Sequence, residues 1–286
     1  MRTYIVEPIG VCKGVENAIN QALNARKDFP NIPITILGPL VHNEHFTSLL
    51  EKNNIKTLQT KDPFKDILLV KEGILIFAAH GHHPSLHEIA KKQNLKIIDA
   101  TCPMVHQTHL HIYKAIHDHH EIIYIGKKGH IECDTVLSFS DNIHLYQPDF
   151  NYDSLYDKSP LVINQTTLNY NELLSIHNEI KSHLPNANII NEVCNVTRIR
   201  QEGIINIPNA CDLIYIVGST ISSNVNRLYE IAMSSHPRAH VIMVNNVDDV
   251  KEDDLLSSSY VAIASGASTP CEIVEQIIKK IEAYVK

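Results

Sequence analysis

Three cysteines share one local setting: an apolar strand-like run, a short turn, the Cys, then a helix-like stretch. They are Cys12 in YIVEPIGVCKGVENAI, Cys102 in KIIDATCPMVHQTH and Cys194 in NIINEVCNVTRIRQE, and they lie 90 and 92 residues apart. A Cys at a helix N-terminus meets the positive end of the helix dipole, which favours thiolate. Three thiolates at one point repel each other unless a cation or an oxidised pair neutralises them, and a metal centre is the natural solution. The sequence has no CxxC and no HExxH, so compact zinc spacing is absent. One Cys per segment suits a cluster clamped where segments meet. A four-iron four-sulfur cluster held by three Cys instead of four keeps one iron open for chemistry. The plainer reading is burial, because Cys is a common small core residue. Cys133, Cys211 and Cys271 lack the shared setting and read as such bystanders.

Polar loops recur behind each of the three cysteines. His42 in GPLVHN, His130 in GKKGHIE and Asn224 in GSTISSN follow their Cys by 30, 28 and 30 residues. His80 in AAHGHH, Thr166 in NQTT and Ser268 in SGAS follow by 68, 64 and 74. With Ser222 and Ser223, this set offers neutral or switchable donors and little fixed charge, which suits a multi-oxygen anion. The histidines remain open as metal ligands as well. Phosphate-loop and dinucleotide glycine motifs are absent. Glu132, two residues after His130, would have a raised pKa in a desolvated pocket and could pass protons. His106, His109, His117 and His120 read as a solvated helix face. The acidic run from Asp248 to Asp254 reads as a solvated turn and helix start.

These residues need a scaffold, and the chain of 286 residues is long enough to supply one. Length alone suggests about two domains. Ten strand-like runs alternate with eight helix-like stretches, and many of the runs are apolar on both faces. The pattern predicts an α/β fold with mostly parallel sheets. The repeat of three cysteine settings and six polar loops changes the expected count to three small α/β units in pseudo-threefold arrangement. Their boundaries are set at 1–99 with Cys12, His42 and His80; 100–190 with Cys102, His130, Glu132 and Thr166; and 191–286 with Cys194, Ser222–Asn224 and Ser268. The C-terminal end is expected to pack back on the first unit. Ligands of parallel sheets bind at the carboxyl ends of strands, where all these loops fall, around a central metal cluster.

Composition excludes several classes. Hydrophobic residues make up 44% and charged residues 20%, an ordinary globular balance. A net charge of -7 argues against a nucleic-acid or anionic-membrane binder. Apolar runs are strand-sized and the N-terminus lacks a signal-peptide core, so a cytoplasmic chain with reduced thiols is expected.

At this level of detail the chain resembles the 4-hydroxy-3-methylbut-2-enyl diphosphate reductase family, which ends the methylerythritol phosphate route to isoprenoids. The resemblance runs over nearly the whole chain through GVCKGVENAI, GPLVHNEH, IFAAHGHHP, DATCPMV, IGKKGHIE, NQTTL, NEVCNVTRIRQE, VGSTISSNVNRL and SGASTPCEIV, in that order. It implies three α/β domains around one 4Fe-4S cluster held by Cys12, Cys102 and Cys194, with one iron open to substrate. It implies that His42, His80, His130, Ser222, Ser223, Asn224 and Ser268 bind the substrate, mainly at its diphosphate. Glu132 would donate or relay protons, Thr166 would help orient the substrate hydroxyl, and Gln165 and Thr167 would stand behind them. The implied reaction is reductive dehydroxylation, with two electrons and two protons, to isopentenyl and dimethylallyl diphosphate. The partners are then the allylic diphosphate and an external one-electron donor such as ferredoxin or flavodoxin, with no nucleic acid or membrane. The sequence departs from the family at Ile131, where Pro is common, at Lys13, where a small residue is usual, and in the run after Cys194. Two alternatives stay in view: a non-catalytic iron–sulfur sensor, and a metal-free α/β protein that binds a phosphorylated small molecule.

Overall fold

Runs rich in Ile, Val and Leu form the strands, and the stretches between them, each with one apolar stripe, form the helices. The computed structural model describes residues 2–284. In chain order the elements are β1 (Arg2–Ile5), α1 (Lys13–Asp28), β2 (Ile34–Leu37), α2 (Glu44–Lys52), β3 (Ile55–Leu58), α3 (Pro63–Asp66), β4 (Ile74–Phe77), α4 (Ser85–Lys92) and β5 (Lys96–Asp99). They continue with α5 (Pro103–His117), β6 (Ile122–Ile125), α6 (Ile131–Leu137), β7 (Ile143–Leu145), β8 (Leu161–Asn164), α7 (Tyr170–His183) and β9 (Asn188–Ile189). The last are α8 (Asn195–Ile205), β10 (Leu213–Val217), α9 (Ser223–Ser235), β11 (His240–Val244), α10 (Glu252–Leu256), β12 (Tyr260–Ser265) and α11 (Cys271–Glu282).

The strands form three four-stranded parallel sheets, in the orders β3-β2-β4-β5, β7-β6-β8-β9 and β11-β10-β12-β1. The fold is therefore α/β with three similar units. The third order repeats the other two only because β1 fills its fourth position. Tyr4 pairs with Ala262, so the first strand leaves the segment 1–99 and completes the sheet of the last segment. The pairing gives the edge of β12 a parallel partner, so that edge is not left open. Each repeat thus runs from just after one cysteine to the next.

Compactness divides the chain into two bodies rather than one per sheet. A terminal body holds the chain up to Val15, His42–His45 and the chain from Asn195, and a medial body holds Glu16–Val41 and Phe46–Cys194.

In the terminal body, successive residues of β10 point to opposite faces. Ile214 and Ile216 pack with Ile204, Val225 and Leu228, while Leu213, Tyr215 and Val217 pack with Val274 and Ile277. The medial body repeats this on β6: Ile122 and Tyr124 face one cluster, Ile123 and Ile125 another. Burial on both faces is why the inner strands ILIF, IIYI and LVIN lack polar alternation. The ten strands expected from sequence are all present. β3 and β7 were missed because they are edge strands, short and only partly buried. The short helices α3 and α6 were also missed, because four to seven residues carry too little periodicity, while α10 begins within the acidic run read as a turn and helix start.

Candidate functional site

Each of the three cysteines follows the last-position strand of its sheet and starts a helix. Cys12 follows β1 and precedes α1, Cys102 follows β5 and caps α5, and Cys194 follows β9 and precedes α8. Their backbone N–H groups make the same bond in all three sheets. Cys12 N donates to Ala267 O at 2.9 Å, Cys102 N to Ala79 O at 3.0 Å and Cys194 N to Thr166 O at 3.0 Å. Ala267, Ala79 and Thr166 occupy the loops that leave β12, β4 and β8, the neighbouring strands. Each cysteine is thus pinned to a polar loop of its own sheet. The same bonds align Thr166 with Ala79 and Ala267, one residue before His80 and Ser268.

None of the cysteines is in a disulfide; Cys12, Cys102 and Cys194 are half-buried, while Cys133 and Cys211 are buried in apolar clusters. Cys271 begins α11 and is half-buried. Cys12 Sγ accepts the Val15 N–H at 3.5 Å, which fixes the thiol over the first turn of α1. Three partly accessible thiols at helix N-termini are a soft donor set, and they fit the iron–sulfur group that the resemblance implies.

The medial body holds Glu132. It is the second residue of α6, whose cap is His130: His130 Nδ1 accepts the Glu132 N–H at 3.2 Å. That cap turns the carboxyl inward, where it is 3% exposed. Glu132 Oε1 accepts the Thr166 N–H at 2.9 Å and Oε2 accepts the Thr166 hydroxyl at 3.2 Å. Burial pushes the Glu132 carboxyl up to about 7, against the two Thr166 hydrogen bonds that favour its charged form. The same body brings the rings of His80 and His130 edge to face, with centroids 6.3 Å apart. Gln165 Oε1 accepts the Lys127 N–H at 3.0 Å and its Nε2 donates to Thr167 Oγ1 at 3.0 Å, so it braces the loops on either side.

The terminal body brings together the other polar residues. Ser222 caps α9, with Oγ accepting the Val225 N–H at 3.5 Å, and the Ser268 hydroxyl donates to Ser222 Oγ at 3.4 Å. Asn224 Oδ1 accepts the Ala267 N–H at 3.0 Å, beside the Cys12 anchor. Asn224 is 7% exposed, and its buried Nδ2 has no partner among the described residues. It is a donor ready for a ligand oxygen. Ser223 is half-buried at the first position of α9. His42 is half-buried in the short segment before α2, and burial lowers its pKa, so the neutral imidazole is favoured.

Sequence reasoning missed Arg200. It is 2% exposed, and its Nη1 donates to Ser265 O at 2.5 Å and Ser265 Oγ at 3.1 Å, while Nη2 donates to Gly10 O at 2.6 Å. It ties the loop before Cys12 to the loop before Ser268. Thr197, Arg200, Gln201 and Ile204 form the buried stripe of α8, a helical spacing that could have shown Arg200 facing inward. His109 also differs from expectation. It is buried against Tyr113 and Phe139 rather than solvated, and burial lowers its pKa to about 4.

Among the described residues, no helix is long and apolar enough to cross a membrane. The profile of the family described as LytB protein matches residues 3–282. The 4-hydroxy-3-methylbut-2-enyl diphosphate reductase of Lysinibacillus sphaericus is 36% identical, over 99% of this chain and 89% of that protein. The protein of the same name from Symbiobacterium thermophilum is 34% identical, over 99% of this chain and 98% of that one. Among solved structures, the E-1-hydroxy-2-methyl-but-2-enyl-4-diphosphate reductase of Plasmodium falciparum superposes with a TM-score of 0.87 at 28% identity, covering 98% of this chain and 87% of that one. A structure of (E)-4-hydroxy-3-methyl-but-2-enyl diphosphate reductase, described as the terminal enzyme of the non-mevalonate pathway, gives a TM-score of 0.70 at 26% identity, over 99% and 100% of the two chains. Sequence and fold agree along the whole chain, which belongs to the LytB protein family, the family of these reductases.

Proposed function

We propose that this chain is an oxidoreductase that converts 4-hydroxy-3-methylbut-2-enyl diphosphate, two electrons and two protons into isopentenyl or dimethylallyl diphosphate and water. The observation that carries the reading is the shared backbone bond of Cys12, Cys102 and Cys194, each tied to a polar loop of its own sheet. These three thiols would hold one four-iron four-sulfur cluster. When bound, that group supplies the electrons and a Lewis-acidic iron for the substrate hydroxyl.

The chain's own part is binding, orientation and proton supply. The Asn224 amide, with its buried unpartnered Nδ2, and the hydroxyls of Ser222, Ser223 and Ser268 are neutral donors for phosphate oxygens. His42, His80 and His130 add imidazole donors to the same anion. Such donors bind the diphosphate without the fixed positive charge that would trap the product. Glu132 holds a proton at its buried carboxyl near neutral pH and releases it without a large penalty, as a general acid should. The Thr166 hydroxyl, bonded to Glu132 Oε2, is the natural relay toward the substrate oxygen. Electrons would arrive from an external one-electron donor of the ferredoxin or flavodoxin type. Six cysteines outside any disulfide suit a reducing compartment, which favours the cytoplasm.

Anaerobically purified protein tests the reading. It should contain about four iron and four sulfide per chain and reduce the substrate with a chemical one-electron donor. Zinc in place of iron, with no sulfide, would refute it. Diphosphate binding without turnover in iron-replete protein would point to a sensor instead.

A further inference from the structure

A second donor cluster lies in the medial body, apart from every residue assigned above. His82 follows β4, His87 is in the first turn of α4, and Asp99 ends β5. β4 and β5 are neighbours, with Phe77 paired to Asp99, so their carboxyl ends lie side by side. One ligand atom from each of the three side chains lies within 4.8 Å of the other two. The atoms face one another at more than hydrogen-bond length: His82 Nδ1 is 4.0 Å from Asp99 Oδ1, and His87 Nε2 is 3.8 Å from Asp99 Oδ2. Three atoms that close leave some point within about 2.8 Å of all of them, and zinc bonds of about 2.0–2.2 Å need shifts of under about 1 Å.

The side chains are held in place by stacking and hydrogen bonding. His82 stacks flat on Phe77, with centroids 3.8 Å apart and planes 8° apart. His87 stacks on both rings, at 4.8 Å from each. Asp99 Oδ1 accepts the Thr101 N–H at 2.9 Å, which fixes the carboxylate plane. Charge state agrees with geometry. Burial lowers the His82 pKa to about 4 against the pull of Asp99, and the nearby His87, His83 and His106 push it the same way, so the imidazole is neutral at neutral pH. Its Nδ1 has only a long contact of 3.5 Å to the Thr101 hydroxyl, which a metal ion would replace. Burial raises the Asp99 carboxyl, but its Thr101 hydrogen bonds, the largest of the opposing causes, bring it below the ordinary value. A neutral imidazole facing a carboxylate beyond hydrogen-bond length makes no ion pair, and both groups are possible donors to a cation.

We propose that His82, His87 and Asp99 bind one divalent transition-metal ion of the zinc class through two imidazole nitrogens and one carboxylate oxygen. Two nitrogens and one oxygen match that class, and they leave coordination positions open. His82 also lines a cavity of about 510 Å³ with Phe64, Phe77, His83 and Asp134, which gives an ion a route in. The ion would tie α4 to the end of β5, three residues before Cys102.

Cobalt(II) titration under anaerobic conditions tests this, because its visible spectrum distinguishes nitrogen and oxygen ligands from thiolates. The expected result is one equivalent bound with weak d–d bands and no thiolate charge-transfer band. His87→Ala alters a partly exposed helix residue and should weaken binding at least tenfold, with iron and sulfide content unchanged. Asp99→Asn should weaken binding comparably. No binding, a thiolate band as the only signal, or equal affinity in His87→Ala would overturn the proposal.

Discussion

Glu132 carries a carboxyl that two forces pull in opposite directions. Burial favours the neutral acid, and the two Thr166 hydrogen bonds favour the carboxylate. Burial wins, and the group titrates at about 7 instead of 4.5. Between those values the folded chain holds a proton that the unfolded chain has lost. Its contribution to stability is therefore fully present below about 4.5 and is lost as pH rises through about 7. Glu132→Gln keeps the shape and removes the charge. Urea denaturation of the cluster-free protein should show the variant more stable than wild type by roughly 3 kcal/mol at pH 8, with no difference at pH 4. The same variant should keep its iron yet lose turnover by about 100-fold or more. Wild-type turnover should fall as pH rises past about 7, because the proton donor ionises. Full activity in Glu132→Gln would remove this carboxyl from the proton path.

Loops that leave strands do their positioning through a few obligatory conformations. Gly81, between His80 and His82, has φ +82°, a region that favours glycine. A Cβ there would stand 2.4 Å from His109 Cε1 and 3.0 Å from Val105 Cγ1. His109 cannot yield, since it is packed between Tyr113 and Phe139. Gly81→Ala should therefore cost about 2–4 kcal/mol, seen as a lower urea midpoint. It should also weaken substrate binding by moving His80. The buried His109 ring closes directly against this glycine. The helix α6 positions by the opposite device, a side chain: His130 caps it, and the first turn then aims Glu132 inward.

Across the molecule the same junction is built three times, and each copy contributes one thiol. The cysteines end the repeats rather than lying within them, because β1 belongs with β12. Each cysteine's backbone N–H is fixed by its own sheet. Cys12→Ser, Cys102→Ser and Cys194→Ser should therefore fold with unchanged circular dichroism. Each should lose at least tenfold in iron and sulfide on anaerobic purification. Cys211→Ala, in an apolar cluster of the terminal body, should keep both. Equal iron content in all four variants would separate the thiols from the metal.

The sequence by itself determined the α/β alternation, the three cysteine settings and the polar loops. These depend on local runs: β-branched apolar segments such as IIYI and LIYIV, and turns that follow them at fixed distance. Family membership was legible for the same reason, through ordered motifs that read residue by residue. Only the tertiary structure decided which strand completes the last sheet, since β1 and β12 are separated by nearly the whole chain. It alone decided that Glu132 is buried and that Thr166 holds it, because desolvation comes from neighbours in space. Arg200 and the His82, His87 and Asp99 cluster were hidden for that reason too. Their partners lie on other elements, and no local pattern encodes a contact across 65 or 190 residues, the separations Arg200 spans to Ser265 and Gly10.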